Sequence, residues 1–151
     1  MISTGLRPDQ LDDDQKNWFA IAICEAIIAD GNVAPEELLY LEKALSFLPS
    51  TEKVASLIQA VKDQKLPPLD PLTVASRETQ VHMLFELALV ISSDNTLSSR
   101  EMDYLFNVGK KLGYEKEFVQ VVMRWANEGI MWRNKLKHLT KMGAELESEY
   151  E

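Results

Sequence analysis

The amino-acid sequence predicts an all-α protein of about seven helices in two pseudo-repeated helical halves. Apolar residues recur at helical spacing along most of the chain, and no segment alternates apolar and polar residues with the period of two typical of a strand. Residues 29–41 also resemble residues 93–105, 64 positions further on. A length of 151 residues fits one domain, so we expect residues 1–151 to form a single unit.

The first half begins with an arm and continues with three predicted helices. Residues 1–11 are expected to form a loose arm, and the acidic run at 12–14 then opens a helix, because acidic side chains stabilise a helix N-terminus. The stretch 18–29 is apolar nearly all round, so this helix should be central and buried. Pro35 suits the first turn of a second helix, and Ser50 can cap a third.

The second half repeats this plan after a proline-containing linker at 65–71. Ser76 can cap a fourth helix, which is again apolar enough to be central. Ser98 and Glu101 have the spacing of a capping box, in which each side chain accepts a hydrogen bond from the other residue's backbone N–H. This pair therefore predicts the start of a fifth helix.

The chain after this fifth helix is predicted to form two more helices. Gly129 should weaken the sixth, and residues 130–151 should add a C-terminal helical extension. Trp125 and Trp132 flank this glycine. Aromatic residues there would either anchor a partner helix or cover the protein's own core, and the second role is the commoner one.

The repeated segment pairs an aspartate with a glutamate seven residues later. The pattern from Asp30 onward looks like the second half of a calcium-binding EF-hand loop. The first two ligand positions of such a loop fall on Ala26 and Ile28, and in the second copy on Val90 and Ser92. Calcium needs side-chain oxygens at those positions, so a standard EF-hand is rejected.

Two explanations of the repeated carboxylates remain open. In the first, they only cap helices: Asp30 and Asp94 help to end one helix, and Glu37 and Glu101 bond to free N–H groups of the next. In the second, the two turns meet about a pseudo-twofold axis and the four carboxylates hold a divalent cation. Ligands that are all oxygen favour Ca²⁺ or Mg²⁺, although local capping is the commoner situation.

The motif Ala-Asp-Gly-x-Val-x-x-x-Glu after a first apolar helix, with a degenerate copy in the second half, resembles the TerB tellurite-resistance family. The resemblance covers about residues 13–128, and the second copy departs from it at Ser93 and Asn95. It implies a TerB-like all-α fold, no known catalysis and a conserved acidic surface for which metal binding has been proposed, in a setting of bacterial stress response and membrane-associated complexes. The acidic residues carried over by position are Asp30, Glu37, Asp94 and Glu101.

The net charge of the chain indicates which kinds of binding partner to expect. The net charge is −8, and residues 1–64 hold 5 basic against 11 acidic residues, or −6. Such a surface repels phosphate backbones, so we expect no nucleic-acid partner, whereas cations or basic proteins would suit it.

Cys24 is the only cysteine and is expected to be inert core. With no leader and no apolar stretch long enough to span a membrane, the sequence predicts a cytoplasmic protein without direct membrane insertion.

Glu78, His82 and Glu86 lie four residues apart and therefore share one helix face. They would form either a metal or acid–base site or, far more commonly, a solvated stripe in which carboxylates stabilise a histidine. A helix-borne di-iron site needs a Glu-x-x-His pair on each of two helices, which the sequence lacks. We therefore favour the solvated stripe.

The residues and the resemblance lead us to expect a non-enzymatic stress-response module related to tellurite resistance. It would bind Ca²⁺ or Mg²⁺, or a basic or membrane-associated protein partner, through the face that carries the acidic turns. No nucleophile motif, phosphate-binding glycine loop or zinc signature is present. The alternative is a helical adaptor or oligomerisation domain with no metal site, and a metal-dependent hydrolase ranks third.

Overall fold

The computed structural model describes residues 4–29, 33–92 and 97–150 of the chain. These residues contain helices and no β-strand, which confirms the predicted all-α class. The elements are a short 3₁₀-helix Pro8–Gln10, α1 Asp13–Ile27, α2 Pro35–Ala44, α3 Thr51–Lys62, α4 Arg77–Ile91, α5 Ser99–Lys111 and α6 Lys116–Glu145. Within this part of the chain, none of the helices combines the length and the apolar composition that a membrane crossing requires.

Helices α1 and α4 form the centre of the fold and share its largest helix–helix interface. Every residue of α1 from 18 to 24 is buried, and so are Met83, Leu84, Leu87 and Ala88 of α4. A helix that is apolar nearly all round must be covered on most of its sides, which explains why the other helices surround this pair. The predicted central position of both helices is thereby confirmed.

Polar residues set the starts of most helices, as the sequence predicts. The side chains of Asp12, Ser50, Ser76 and Ser98 each accept a hydrogen bond from the backbone N–H three residues further on. Pro35 occupies the first turn of α2, where its missing N–H costs nothing. Each such cap typically stabilises its helix by about 1 kcal/mol.

The linker between the two halves packs against both of them. The indole N–H of Trp18 donates a 2.6 Å hydrogen bond to the carbonyl oxygen of Asp70. The N–H of Leu72 donates a 3.0 Å bond to the carbonyl oxygen of Lys111, and the buried side chain of Gln80 donates a 2.8 Å bond to the carbonyl oxygen of Leu72. These bonds tie α1, α4 and α5 together through one segment of extended chain.

The predicted sixth and seventh helices are one helix, because α6 continues through Gly129. A glycine inside a helix costs about 1 kcal/mol relative to alanine. That cost is offset by packing on both sides, since Ala126 is 0% and Ile130 is 4% exposed. The described residues therefore hold six α-helices, close to the predicted number of about seven. Every residue from 134 to 150 is exposed, so the last part of α6 projects from the body of the protein.

Candidate functional site

The two acidic turns follow the two central helices. Helix α1 ends at Ile27 and α4 ends at Ile91, a few residues before Asp30 and Asp94. Both aspartates lie outside the described residues. Because α1 packs directly against α4, the repeated segments are attached to neighbouring helices in the centre of the fold.

The two glutamates of the repeat lie in the first turns of α2 and α5. Glu101 belongs to a capping box, in which its Oε1 accepts a 3.0 Å bond from the N–H of Ser98 and the Ser98 hydroxyl accepts a 3.2 Å bond from the N–H of Glu101. Glu37 occupies the equivalent position in α2, where the cap residue is Ala34, whose methyl group cannot accept a hydrogen bond. The capping-box prediction is therefore confirmed at Glu101, and at the start of α2 the cap residue supplies no side-chain acceptor.

A basic side chain from α6 lies at the start of the second turn. The Nη2 of Arg133 donates a 2.9 Å hydrogen bond to the carbonyl oxygen of Ser92, which is the C-cap of α4. Positive charge is favourable there because the carbonyl end of a helix is the negative end of its dipole. Sequence reasoning missed this contact, since Arg133 is far along the chain and nothing in its neighbourhood signals a role at the turn.

Metal-ligand side chains do not cluster in the described part of the chain. Within residues 4–29, 33–92 and 97–150, no three His, Cys, Asp or Glu side chains lie close enough to hold one ion. Asp30 and Asp94 are outside these ranges, so the four-carboxylate site remains a prediction.

The stripe of Glu78, His82 and Glu86 on α4 is contacted by the N-terminal arm. The hydroxyl of Thr4 donates a 2.8 Å hydrogen bond to Oε2 of Glu86. Gly5, with φ +88°, lies so close to the histidine that a Cβ built on it would be 2.9 Å from the ring atom Cε1. His82 and Glu86 thus form a contact surface for the arm, while Glu78 is exposed, and the spacing alone did not indicate this role.

Two titratable groups near the C-terminal end of α1 lie in an apolar environment. Burial raises the pKa of the Cys24 thiol to about 12, and the charge of Glu25 adds to this shift. Burial also raises the pKa of Glu25, although nearby Lys111 opposes that change. The thiolate is the nucleophilic form of cysteine, so a thiol with such a pKa is unreactive at neutral pH. Cys24 is therefore inert core, as its apolar neighbours predict.

The two tryptophans near Gly129 have opposite environments. Trp125 packs against Phe85 with 5.3 Å between ring centroids, and it covers the core as expected. Trp132 is 78% exposed, so the expectation that it covers the protein's own core is wrong. The reason is its place on α6, where the helix leaves the body.

The projecting part of α6 carries an apolar face, which we call the distal α6 face. Its members are between 48% and 78% exposed; they are Trp132, Leu136, Leu139 and Met142 of the helix and Leu146, the C-cap residue that follows it. The helical spacing of these residues is visible in the sequence. Their exposure is not, because the same spacing is typical of a helix packed against its own core.

The chain matches no family model, no curated protein and no solved structure. The resemblance to the TerB family therefore depends on the repeated motif alone and stays a prediction.

Proposed function

We propose that the protein is a non-enzymatic, TerB-like stress-response module whose acidic turns bind a divalent cation, Ca²⁺ or Mg²⁺, or a basic or membrane-associated protein. The observation that carries the proposal is the packing of α1 against α4, because each of these helices leads into one acidic turn. Carboxylates gathered on one side of a protein repel each other, and a cation or a row of basic side chains relieves that repulsion.

The two turns are not equivalent in this proposal. At the second turn, Glu101 already bonds to Ser98, and the guanidinium of Arg133 already supplies positive charge at Ser92. The first turn follows a helix in the more acidic half of the chain, where residues 1–64 carry a net charge of −6. Asp30 should therefore contribute more to binding than Asp94.

Isothermal titration calorimetry with CaCl₂ and MgCl₂ tests cation binding, and titration with an oligolysine peptide tests binding of a basic partner. We expect saturable heat with the wild type and its loss in Asp30→Asn/Asp94→Asn, with the single Asp30→Asn change weakening binding more than Asp94→Asn. The matched control is Asp14→Asn/Asp103→Asn, which removes two exposed carboxylates elsewhere on the same two halves.

Equal binding by the wild type and the Asp30→Asn/Asp94→Asn variant would show that the turns are not the site. The absence of saturable heat with either cation at about millimolar concentration, and with the peptide, would overturn the proposal as a whole, because extracellular-type calcium modules already bind in that range.

The second candidate function is a helical adaptor or oligomerisation domain with no metal site. Two observations favour it: Glu101 is engaged in local capping, and the distal α6 face is exposed. If it is correct, Glu37→Ala should lower the free energy of unfolding by the same amount with and without cation. A cation-dependent loss in that variant would instead favour the first proposal.

A further inference from the structure

The distal α6 face has the spacing of a helix-pairing seam. Trp132, Leu136 and Leu139 of this face and the neighbouring Gly143 follow one another in steps of four and three residues, the pattern with which helices pair in coiled coils. Leu146 continues this spacing in the sequence as the C-cap residue just after α6. The bulky members of this seam are exposed. A Cβ built on Gly143 meets nothing within 4 Å, so the position also leaves space above the helix. The seam has the length and pattern for one partner helix.

The charges along the same segment are separated by sign. Between positions 129 and 142 the chain has no acidic residue, and its basic residues are Arg133, Lys135, Lys137 and Lys141. From 143 onward it has no basic residue; Glu145 ends α6, and Glu147, Glu149 and Glu151 follow the helix in the sequence. Two copies of this segment that run in opposite directions therefore place basic residues of one copy beside acidic residues of the other.

We propose that the distal half of α6 pairs with the same segment of a second copy of the chain in an antiparallel helix pair. In that arrangement the basic part of each copy lies beside the acidic end of the other, and the contact is isologous, as in most homodimers. A parallel pair in register would place lysines beside lysines and glutamates beside glutamates. It would also bring the two bodies close together, and each body carries a net charge of −8, so they would repel each other.

A membrane surface is the competing occupant of a helix with one apolar and one basic face. The charges argue against it. Residues 129–151 hold four basic and four acidic residues and so have no net charge, while residues 1–128 hold 12 basic and 20 acidic residues, which gives −8. An anionic leaflet would repel this body, whereas a second copy offers matching charges.

The expected dimer is weak. The projecting helix from Met131 to Glu145 is about 22 Å long, so the pair is small compared with a standard protein interface. We expect a dissociation constant on the order of 10 µM, weakened by added salt because exposed charge pairs are screened. The pairing is independent of cation binding at the acidic turns, so either proposal can fail while the other holds.

Sedimentation equilibrium over about three decades of protein concentration measures the pairing. We expect the wild type to pass from monomer to dimer, and Leu136→Glu/Leu139→Glu to stay monomeric. The matched control is Asn134→Glu/His138→Glu, which adds the same charge to the same helix on its other face. Circular dichroism at low concentration verifies that all three proteins fold. A wild type that stays monomeric throughout, or a control pair that dissociates as fully as the seam variant, overturns the proposal.

Spin-label distances determine the orientation of the two helices. Cys24 is buried, so a single label can be attached at Met131→Cys or at Thr140→Cys. In an antiparallel pair the label-to-label distance at position 131 should exceed that at position 140 by more than about 10 Å, because position 140 lies near the middle of the overlap. Similar distances at both positions would contradict antiparallel pairing.

Co-sedimentation with vesicles that contain phosphatidylserine tests whether a membrane surface binds the distal α6 face instead. We expect no co-sedimentation of the wild type with them. Binding to the vesicles that Leu136→Glu/Leu139→Glu abolishes, together with a monomeric wild type in solution, would assign the distal α6 face to membranes instead.

Discussion

The phenolic hydroxyl of Tyr104 in α5 donates a 2.6 Å hydrogen bond to the carbonyl oxygen of Ala22 in α1. This bond joins the second helical half to the most buried helix of the first. Tyr40 occupies the same position of the repeat in the first half, yet it is 46% exposed. The repeated sequence therefore places chemically identical side chains in different environments.

Tyr104→Phe should destabilise the protein by about 1–2 kcal/mol, because it leaves a hydrogen-bonded site in the core without its donor. Tyr40→Phe is the matched control, and its effect should stay within about 0.5 kcal/mol as for most surface changes. Urea unfolding followed by circular dichroism measures both. Equal losses in the two variants would contradict the asymmetry between the two halves.

Arg77→Lys should lower the free energy of unfolding of the protein. Its Nη1 donates a 2.9 Å bond to the carbonyl oxygen of Leu112, its Nη2 donates a 3.3 Å bond to that of Gly113, and its guanidinium lies 4.1 Å from the ring centroid of Tyr114. Lysine cannot reproduce this fork and stacking, so we expect Arg77→Lys to lose about 1–2 kcal/mol in urea unfolding. Arg124→Lys, at an exposed position of α6, is the control and should be neutral.

Glu25→Gln should stabilise the protein near neutral pH. Burial raises the pKa of Glu25 in the folded state, so folding favours the protonated carboxyl and its ionised form reduces stability at pH values above the folded pKa. The side chain is only partly buried, so the gain should be between a few tenths and about 1 kcal/mol.

This gain should shrink as the pH falls and vanish below the ordinary value of 4.5, where the carboxyl is protonated in both states. Glu42→Gln, which removes the same charge from an exposed position of α2, is the control. Urea unfolding at several pH values measures the difference, and a gain that increases toward low pH would contradict the assignment.

Gly129→Ala and Gly109→Ala should act in opposite directions, although both glycines lie inside helices. A Cβ at Gly129 meets nothing within 4 Å, so alanine should add about 0.5–1 kcal/mol and raise Tm by roughly 2–4 °C. A Cβ at Gly109 would lie 2.5 Å from Cγ2 of Val119, so alanine there should cost about 1–3 kcal/mol through overpacking. Differential scanning calorimetry at low protein concentration measures both, and stabilisation at Gly109 would show that α5 and α6 can separate freely.

Local chemistry made most of the fold predictable. The capping residues Asp12, Ser50, Ser76 and Ser98 act on their own helix ends, so a single sequence contains the information that places these starts. Gly129 is the instructive exception. The low helix propensity of glycine predicts that the helix is weakened there. However, the next residue, Ile130, is buried in the body of the protein, and this tertiary packing stabilises the helix through Gly129.

The candidate site was less predictable because its key relationships join distant parts of the chain. The capping role of Glu101 is local and was foreseen from its spacing to Ser98. The guanidinium of Arg133 at Ser92 and the arm residue Thr4 at Glu86 depend on how separate segments pack, which neither motif nor spacing encodes.

The projecting helix also governs how this molecule tumbles and elutes. The projecting residues 131–145 of α6 extend about 22 Å from a compact body of about 130 residues, whose radius of gyration is about 14 Å. Rotational diffusion should therefore be anisotropic, with amide groups of α6 relaxing differently from those of α1. In gel filtration even the monomer should elute ahead of compact proteins of 17.2 kDa, so elution volume overstates its mass.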